Sequence, residues 1–368
     1  MSREHVGSSL EPVDLYQAVG GRRTCRQLSE AFYARVARDP VLRPLFPGKT
    51  LRCAIDAFAA FLAQFLGGPA EDAEKRWWLS LRESHQRFEI GPREREAWLA
   101  DMVKALDDVP IEEPVRLALR DLFERSSAYL VNSGQHPVEA AAAEYPAADG
   151  IRREMAQRWH EQRRLDDLAA AIRKGDAKYA IALIQGPALQ RRFARDRALL
   201  AHVLALMMGT GDDTLLECAA RQLHDDPSLA QARNRYGRAL IHDASAQGNP
   251  QMLELLLRLG ADPNLRTAGG HTPLYCLANE CQVTGAGELV RALVRAGANV
   301  DERSDSKQCT ALHMAARRGN SEVTEALLDC GADINAADKS GDTPFQRAKN
   351  CRKAAVASLL VSRGAAAR

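Results

Sequence analysis

Apolar residues in the first third of the chain recur at helical spacing. Ala54, Ile55, Phe58, Phe61, Leu62 and Phe65 fall at i, i+1, i+4, i+7, i+8 and i+11, the stripe of an amphipathic helix. Trp98, Leu99, Met102, Val103 and Leu106 form a second stripe, and Val115, Leu119, Leu122, Phe123 and Leu130 a third. Strand-like alternation is almost absent, so both halves of the chain read as all-α. Composition shifts once, at HPVEAAAAEYPAADG (136–150), a stretch rich in Ala, Pro and small residues that reads as a linker. The expected division is a polar N-terminus at 1–13, a helical domain at 14–134, a linker at 135–150 and a second helical domain at 151–368.

The second domain carries an internal repeat. TALHMAARRGNSEVTEALLDCGADIN (310–335) is its clearest copy. RALIHDASAQGNPQMLELLLRLGADPN (238–264) precedes it, TPLYCLAN…ELVRALVRAGANVD (272–301) lies between, and TPFQRAKNCRKAAVASLLVSRGA (343–365) closes the series. Starts are 34, 38 and 33 residues apart, with most of the excess in the middle copy falling near Gln282–Gly287. The TxLHxAA start, central Gly and GAD-x-N ending resemble the ankyrin repeat, whose period is about 33. The pattern has a physical reading. Leu312, Ala315 and Ala316 form the narrow face of a first helix, Gly319 permits a tight turn, and Val323, Ala326, Leu327 and Leu328 form the stripe of a second. Gly331 then ends that helix in a left-handed cap. Neither helix buries its face alone, so copies must stack. Clear copies span 237–368; degenerate ones are expected upstream, at 168–184 and 199–237.

Bulk properties narrow the class. The chain has 368 residues, 46% hydrophobic and 27% charged, with a net charge of +2 and no basic stripe, which argues against a nucleic-acid partner. No run approaches the ~18 apolar residues of a membrane span. The N-terminal MSREHVGSSLEPVD lacks the apolar core of a signal peptide. Eight cysteines are scattered without CxxC spacing, which reads as reduced thiols rather than a disulfide framework or a zinc site, and the expected location is cytoplasmic.

Candidate chemistry centres on one histidine. Between residues 6 and 135 the chain has a single one, His85, in LRESHQRFEIGPREREAWLADM, placed between strongly amphipathic helices. An imidazole there can coordinate haem iron from one side and leave the other open for a gas. The ordinary alternative is a surface or capped helix histidine. For His242 and His313, at repeat starts, and for His271 just before one, the expected role is hydrogen bonding to the turn backbone.

The order DLYQAVGG…FYARVARDPVLRPLFPG…FLAQFLGGP…LRESHQRFEIGPREREAWL resembles the group II truncated, two-over-two haemoglobins over about a third of the chain. The resemblance implies haem b (iron protoporphyrin IX) with His85 as proximal ligand. It implies Tyr33 and Trp98 as distal hydrogen-bond donors, Phe46 against the porphyrin face, and Ala54 and Phe58 as the small and the bulky residue of the distal helix. A phenol O–H and an indole N–H both donate, as a diatomic ligand with partial negative charge requires; otherwise both are aromatic core. The sequence departs from the family pattern in three ways. Ser84 and Ala57 stand where many relatives carry basic partners for the haem carboxylates, with Arg82, Arg87 and Lys49 as substitutes, and Phe46 lacks a hydroxyl found in some relatives. The paired Trp77–Trp78 before His85 is expected to plug the haem edge or pack in the core.

Two functions follow as expectations. One is a globin binding dioxygen, nitric oxide or related diatomics at five-coordinate iron, with oxidative side chemistry left open and ankyrin repeats contacting a protein. The other is a gas- or redox-sensing adaptor whose main activity is partner binding. A pure interaction protein whose globin fold has lost haem is the blandest reading.

Overall fold

The structure is a computed structural model that describes residues 13–69, 80–133, 150–234, 237–304 and 306–366. The N-terminal 1–12, the Trp77–Trp78 pair and nearly all of the expected linker lie outside the described residues. Helices account for the fold, and the described residues contain no strand beyond an isolated bridge between Arg233 and Ala239. The chain divides into two compact units, Met1–Ala169 and Ala170–Arg368.

The first unit is built on α1 (Leu15–Val19), α2 (Gly21–Val36), α3 (Arg52–Leu66), α4 (Leu81–His85), α5 (Pro92–Asp107) and α6 (Glu113–Leu130). Helices α2 and α3 pack as one pair, α5 and α6 as another, and α2 also packs on α5. Each stripe read from the sequence faces this core. Phe32, Leu62, Met102, Leu106, Leu119 and Phe123 are essentially buried, each contributing about 1.5–3 kcal/mol by leaving water. The FLGGP motif ends α3 because Gly67 caps it at φ +87°, a left-handed conformation that a side chain rarely adopts. Gly68 is small for a second reason: a Cβ there would sit 2.6 Å from the Tyr16 ring.

A long helix, α7 (Gly150–Lys174), changes the expected boundary. The sequence reading opened the second domain at residue 151. In the structure residues up to Ala169 belong with the first unit, and Met155 and Trp159 join its buried core. The cause is a stripe of Ile151, Met155 and Trp159, whose burial depends on partners far away in sequence.

The second unit continues with α8 (Ala177–Gln185), α9 (Pro187–Arg195), α10 (Arg197–Met208) and α11 (Asp213–Asp225). The repeats proper follow as α12 (Leu240–Gln247) with α13 (Pro250–Arg258), α14 (Pro273–Glu280) with α15 (Ala286–Arg295), α16 (Ala311–Arg318) with α17 (Ser321–Asp329), and α18 (Pro344–Asn350) with α19 (Ala354–Ser362). First helices stack in one row, α12 on α14 on α16 on α18, and second helices in another, α13 on α15 on α17 on α19. Helices α10 and α11 extend both rows upstream by packing on α12 and α13. Leu312, Ala315, Ala316, Val323, Ala326 and Leu327 are buried as the pattern predicts, with Leu328 half-buried. Gly319 and Gly331 adopt φ of +79° and +87°.

Candidate functional site

One cavity in the first unit is lined by all six residues singled out from the sequence: Tyr33 from α2, Phe46 from the following loop, Ala54 and Phe58 from α3, His85 from α4 and Trp98 from α5. The rest of its wall is mostly aromatic and aliphatic. Phe32 anchors one side, 5.3 Å from Trp98 and 5.9 Å from Phe58 between ring centroids. Tyr33 meets Phe46 edge-on at 5.6 Å, and Trp98 meets Phe123 edge-on at 5.7 Å. Such offset and edge contacts fix ring orientation as well as burying area.

His85 is the last residue of the five-residue α4. Its Nδ1 lies 2.8 Å from the Leu81 carbonyl oxygen and 2.9 Å from Ser84 Oγ. A carbonyl oxygen only accepts, so this contact puts the ring proton on Nδ1 and leaves the Nε2 lone pair available to a metal. The Ser84 hydroxyl donates to the same carbonyl at 2.7 Å. Burial lowers the pKa of His85, which favours the neutral, ligating form. Burial likewise raises that of Tyr33, keeping its phenol a donor. Neither the Tyr33 hydroxyl nor the Trp98 indole N–H has a hydrogen-bond partner among the described residues.

The candidate cations sort by position. Arg87 lines the cavity, whereas the Arg82 guanidinium lies 4.2 Å over the Tyr129 ring and Lys49 is exposed outside the lining. A further cation in the wall, Arg95, was not singled out from the sequence. Its Nε is buried without a hydrogen-bond partner, although its Nη2 reaches the Glu124 carbonyl at 3.5 Å. Other apolar lining positions include Phe32, Phe61, Phe88 and Phe123; helical spacing marks Phe61 and Phe123 as core but cannot say which core residues face a cavity, and Phe88 lies beyond the end of α4.

Comparison with known proteins decides the family. The family described as bacterial-like globin matches residues 14–131. The group 2 truncated hemoglobin YjbI of Bacillus subtilis (strain 168) is 36% identical over 117 residues, covering 32% of this chain and 87% of that protein. The chain belongs to the truncated globins. Its C-terminal part matches ankyrin repeats at 240–338 and 280–367. Ankyrin repeat and SOCS box protein 16 of Homo sapiens is 34% identical over 140 residues, or 36% of this chain, and NF-kappa-B inhibitor alpha of Homo sapiens is 29% identical over 117, or 32%. The chain spans only 30% and 37% of the length of those two relatives.

Membership of the globin family implies haem and gas binding, and the repeats imply protein interaction. The donor set of this truncated globin fits haem: an imidazole with its Nε2 free, an apolar wall, and cationic Arg87 and Arg95 in the same lining. No group of three His, Cys, Asp or Glu side chains able to hold a metal ion occurs among the described residues. The cysteines carry no disulfide, and no described helix is long and apolar enough to cross a membrane. In the repeats, His242 Nδ1 accepts from the Ala239 amide at 3.1 Å and its Nε2 donates to Leu265 O at 2.9 Å. His313 does the same with Thr310 N at 3.2 Å and Asp342 O at 3.1 Å. Both are turn fasteners, as their place in the repeat predicts. His271 stacks on Tyr275, with centroids 4.3 Å apart.

Proposed function

We propose that the globin unit holds haem b through His85 Nε2, leaving a five-coordinate iron open to dioxygen, nitric oxide or a related diatomic. When bound, haem supplies a metal centre whose remaining axial position takes such a gas. The observation that carries this reading is the His85 Nδ1 contact to Leu81 O at 2.8 Å, which directs the other nitrogen toward a ligand. Tyr33 and Trp98 serve as donors toward the gas, since both line the cavity and neither is committed elsewhere among the described residues. Ala54 and Ala57 keep the α3 side of the wall shallow, and Phe58 and Phe61 exclude water there. Arg87 and Arg95 balance the haem carboxylates.

The stacked repeats supply a surface for a protein partner in the cytoplasm. Support comes from the match to ankyrin repeats and from a relative whose name is that of an inhibitor of another protein, NF-kappa-B inhibitor alpha. None of the described cysteines is in a disulfide, which agrees with a reducing compartment.

The test is reconstitution of the full chain with haem, followed by absorption spectra in ferric, ferrous and dioxygen-exposed forms. The account expects stoichiometric uptake and a ferrous spectrum that changes reversibly with dioxygen. No uptake after haem supplementation would contradict it.

A further inference from the structure

Helix α7 lies beyond the matched globin segment, which ends at residue 131, yet it reaches the helix that carries His85. One face of α7 presents Ile151, Met155, Trp159, Gln162 and Asp166, spaced four, four, three and four residues apart. Met155 and Trp159 enter the core, with Trp159 edge-on to Tyr129 at 5.5 Å. Arg158 Nη1 donates to the Phe65 carbonyl at 3.1 Å, fastening α7 to the end of α3.

Further along the same face sits Asp166, only 4% exposed. Its Oδ1 accepts from the Leu81 amide at 2.8 Å and its Oδ2 from the Arg82 amide at 3.2 Å. Gln162 Nε2 donates to it at 2.9 Å, and the Tyr129 hydroxyl donates to it as well. Leu81 and Arg82 are the first two residues of α4, and Ser80 Oγ accepts from the third amide, that of Glu83, at 3.1 Å. Leu81 is therefore held twice. Its amide is fixed by Asp166, and its carbonyl fixes His85 Nδ1. A helix of a single turn does not sustain itself, because nucleation fixes several dihedrals for one hydrogen bond. The ends of α4 must be held from outside, and Asp166 does so at a distance of 85 residues in sequence. A buried carboxylate is costly unless fully hydrogen-bonded, and here four donors converge on it.

From this geometry we infer that Asp166 is a positioning residue for the His85 imidazole, so that the functional haem module extends through α7. The inference rests on the reading of His85 as the iron ligand. Asp166 touches neither the cofactor nor the gas; it acts through Leu81, setting the register of α4 and hence the orientation of the ring.

The test uses the full chain and two readouts in the wild type, Asp166→Ala, Asp166→Asn and His85→Gly. Resonance Raman of the ferrous, deoxygenated protein reads the iron–histidine stretch, and amide hydrogen exchange of the haem-free chain reads Leu81 and Arg82. Asp166→Ala is expected to shift or broaden the stretch and to speed exchange of both amides about tenfold, the equilibrium factor of one charge-assisted hydrogen bond. Asp166→Asn keeps one carbonyl acceptor, is expected to fall between the wild type and Asp166→Ala in both readouts, and carries the test should Asp166→Ala fail to fold. Wild-type stretch and exchange in both Asp166 variants would overturn the inference while leaving the ligand assignment standing. A stretch that persists in His85→Gly would overturn the ligand assignment, and this inference with it.

Discussion

The His85 imidazole and the Leu81 carbonyl are joined by a 2.8 Å hydrogen bond across one turn of α4. The bond does three things at once. It selects the Nδ1–H tautomer, fixes the ring's rotation and raises the basicity of Nε2, which is how outer partners tune a ligating histidine. Both nitrogens are thus accounted for by one backbone oxygen and one expected metal, with Ser84 Oγ supporting the arrangement at 2.9 Å.

On the proposed reading, Tyr33 and Trp98 are the donors that set how long a gas stays. Tyr33→Phe and Trp98→Phe are each expected to speed dioxygen release roughly tenfold, the effect of losing one hydrogen bond of about 1.4 kcal/mol. Stopped-flow or flash photolysis measures it. Unchanged release in both variants would remove them as donors and return them to aromatic packing.

How much of this was legible in the sequence varies with how local the signal is. The repeat, its glycine turns and its buried histidines were readable because each copy repeats the same short-range pattern, and the six cavity residues could be placed because they sit in separate, recognisable motifs. Asp166 was invisible, since its meaning lies in two amides 84 and 85 residues away. The place of α7 in the first unit is hidden for the same reason: Met155 and Trp159 form an apolar stripe in an Arg-rich segment, and spacing does not say against which domain a stripe packs. Arg95 was overlooked because charge on an amphipathic helix usually marks the solvated face.

Packing in the repeats makes a quantitative expectation. Leu312 and Leu327 are fully buried in α16 and α17. Replacing either by Ala removes buried methylene groups and leaves a cavity, at a cost of about 2–5 kcal/mol. Urea unfolding followed by circular dichroism reads the loss. A change below ~1 kcal/mol is the size of an ordinary surface substitution and would contradict the stacked arrangement.

The repeat histidines give the second unit a pH dependence of defined sign. Burial lowers the pKa of His242 and of His313 below the ordinary value of 6.5. The unfolded chain then binds protons that the folded chain does not, so their stabilisation is fully present above 6.5 and is lost as pH falls below 6.5 through the lowered folded values. In the last copy Gln346 stands at the equivalent position and accepts from the Thr343 amide at 2.6 Å, so glutamine suits the role without titrating. The urea midpoint of the wild type is expected to fall between about pH 7.5 and about pH 5.5, and that of His242→Gln/His313→Gln to fall less. An equal fall in both proteins would contradict the assignment.

The central claim is that His85 Nε2 is the haem ligand, and imidazole rescue of His85→Gly tests it most directly. Haem is titrated into the wild type, into His85→Gly, and into His85→Gly with added imidazole, with the absorption spectrum as readout. The account predicts that the variant loses the wild-type spectrum and that free imidazole restores it. A variant that shows the wild-type spectrum without imidazole would contradict the account.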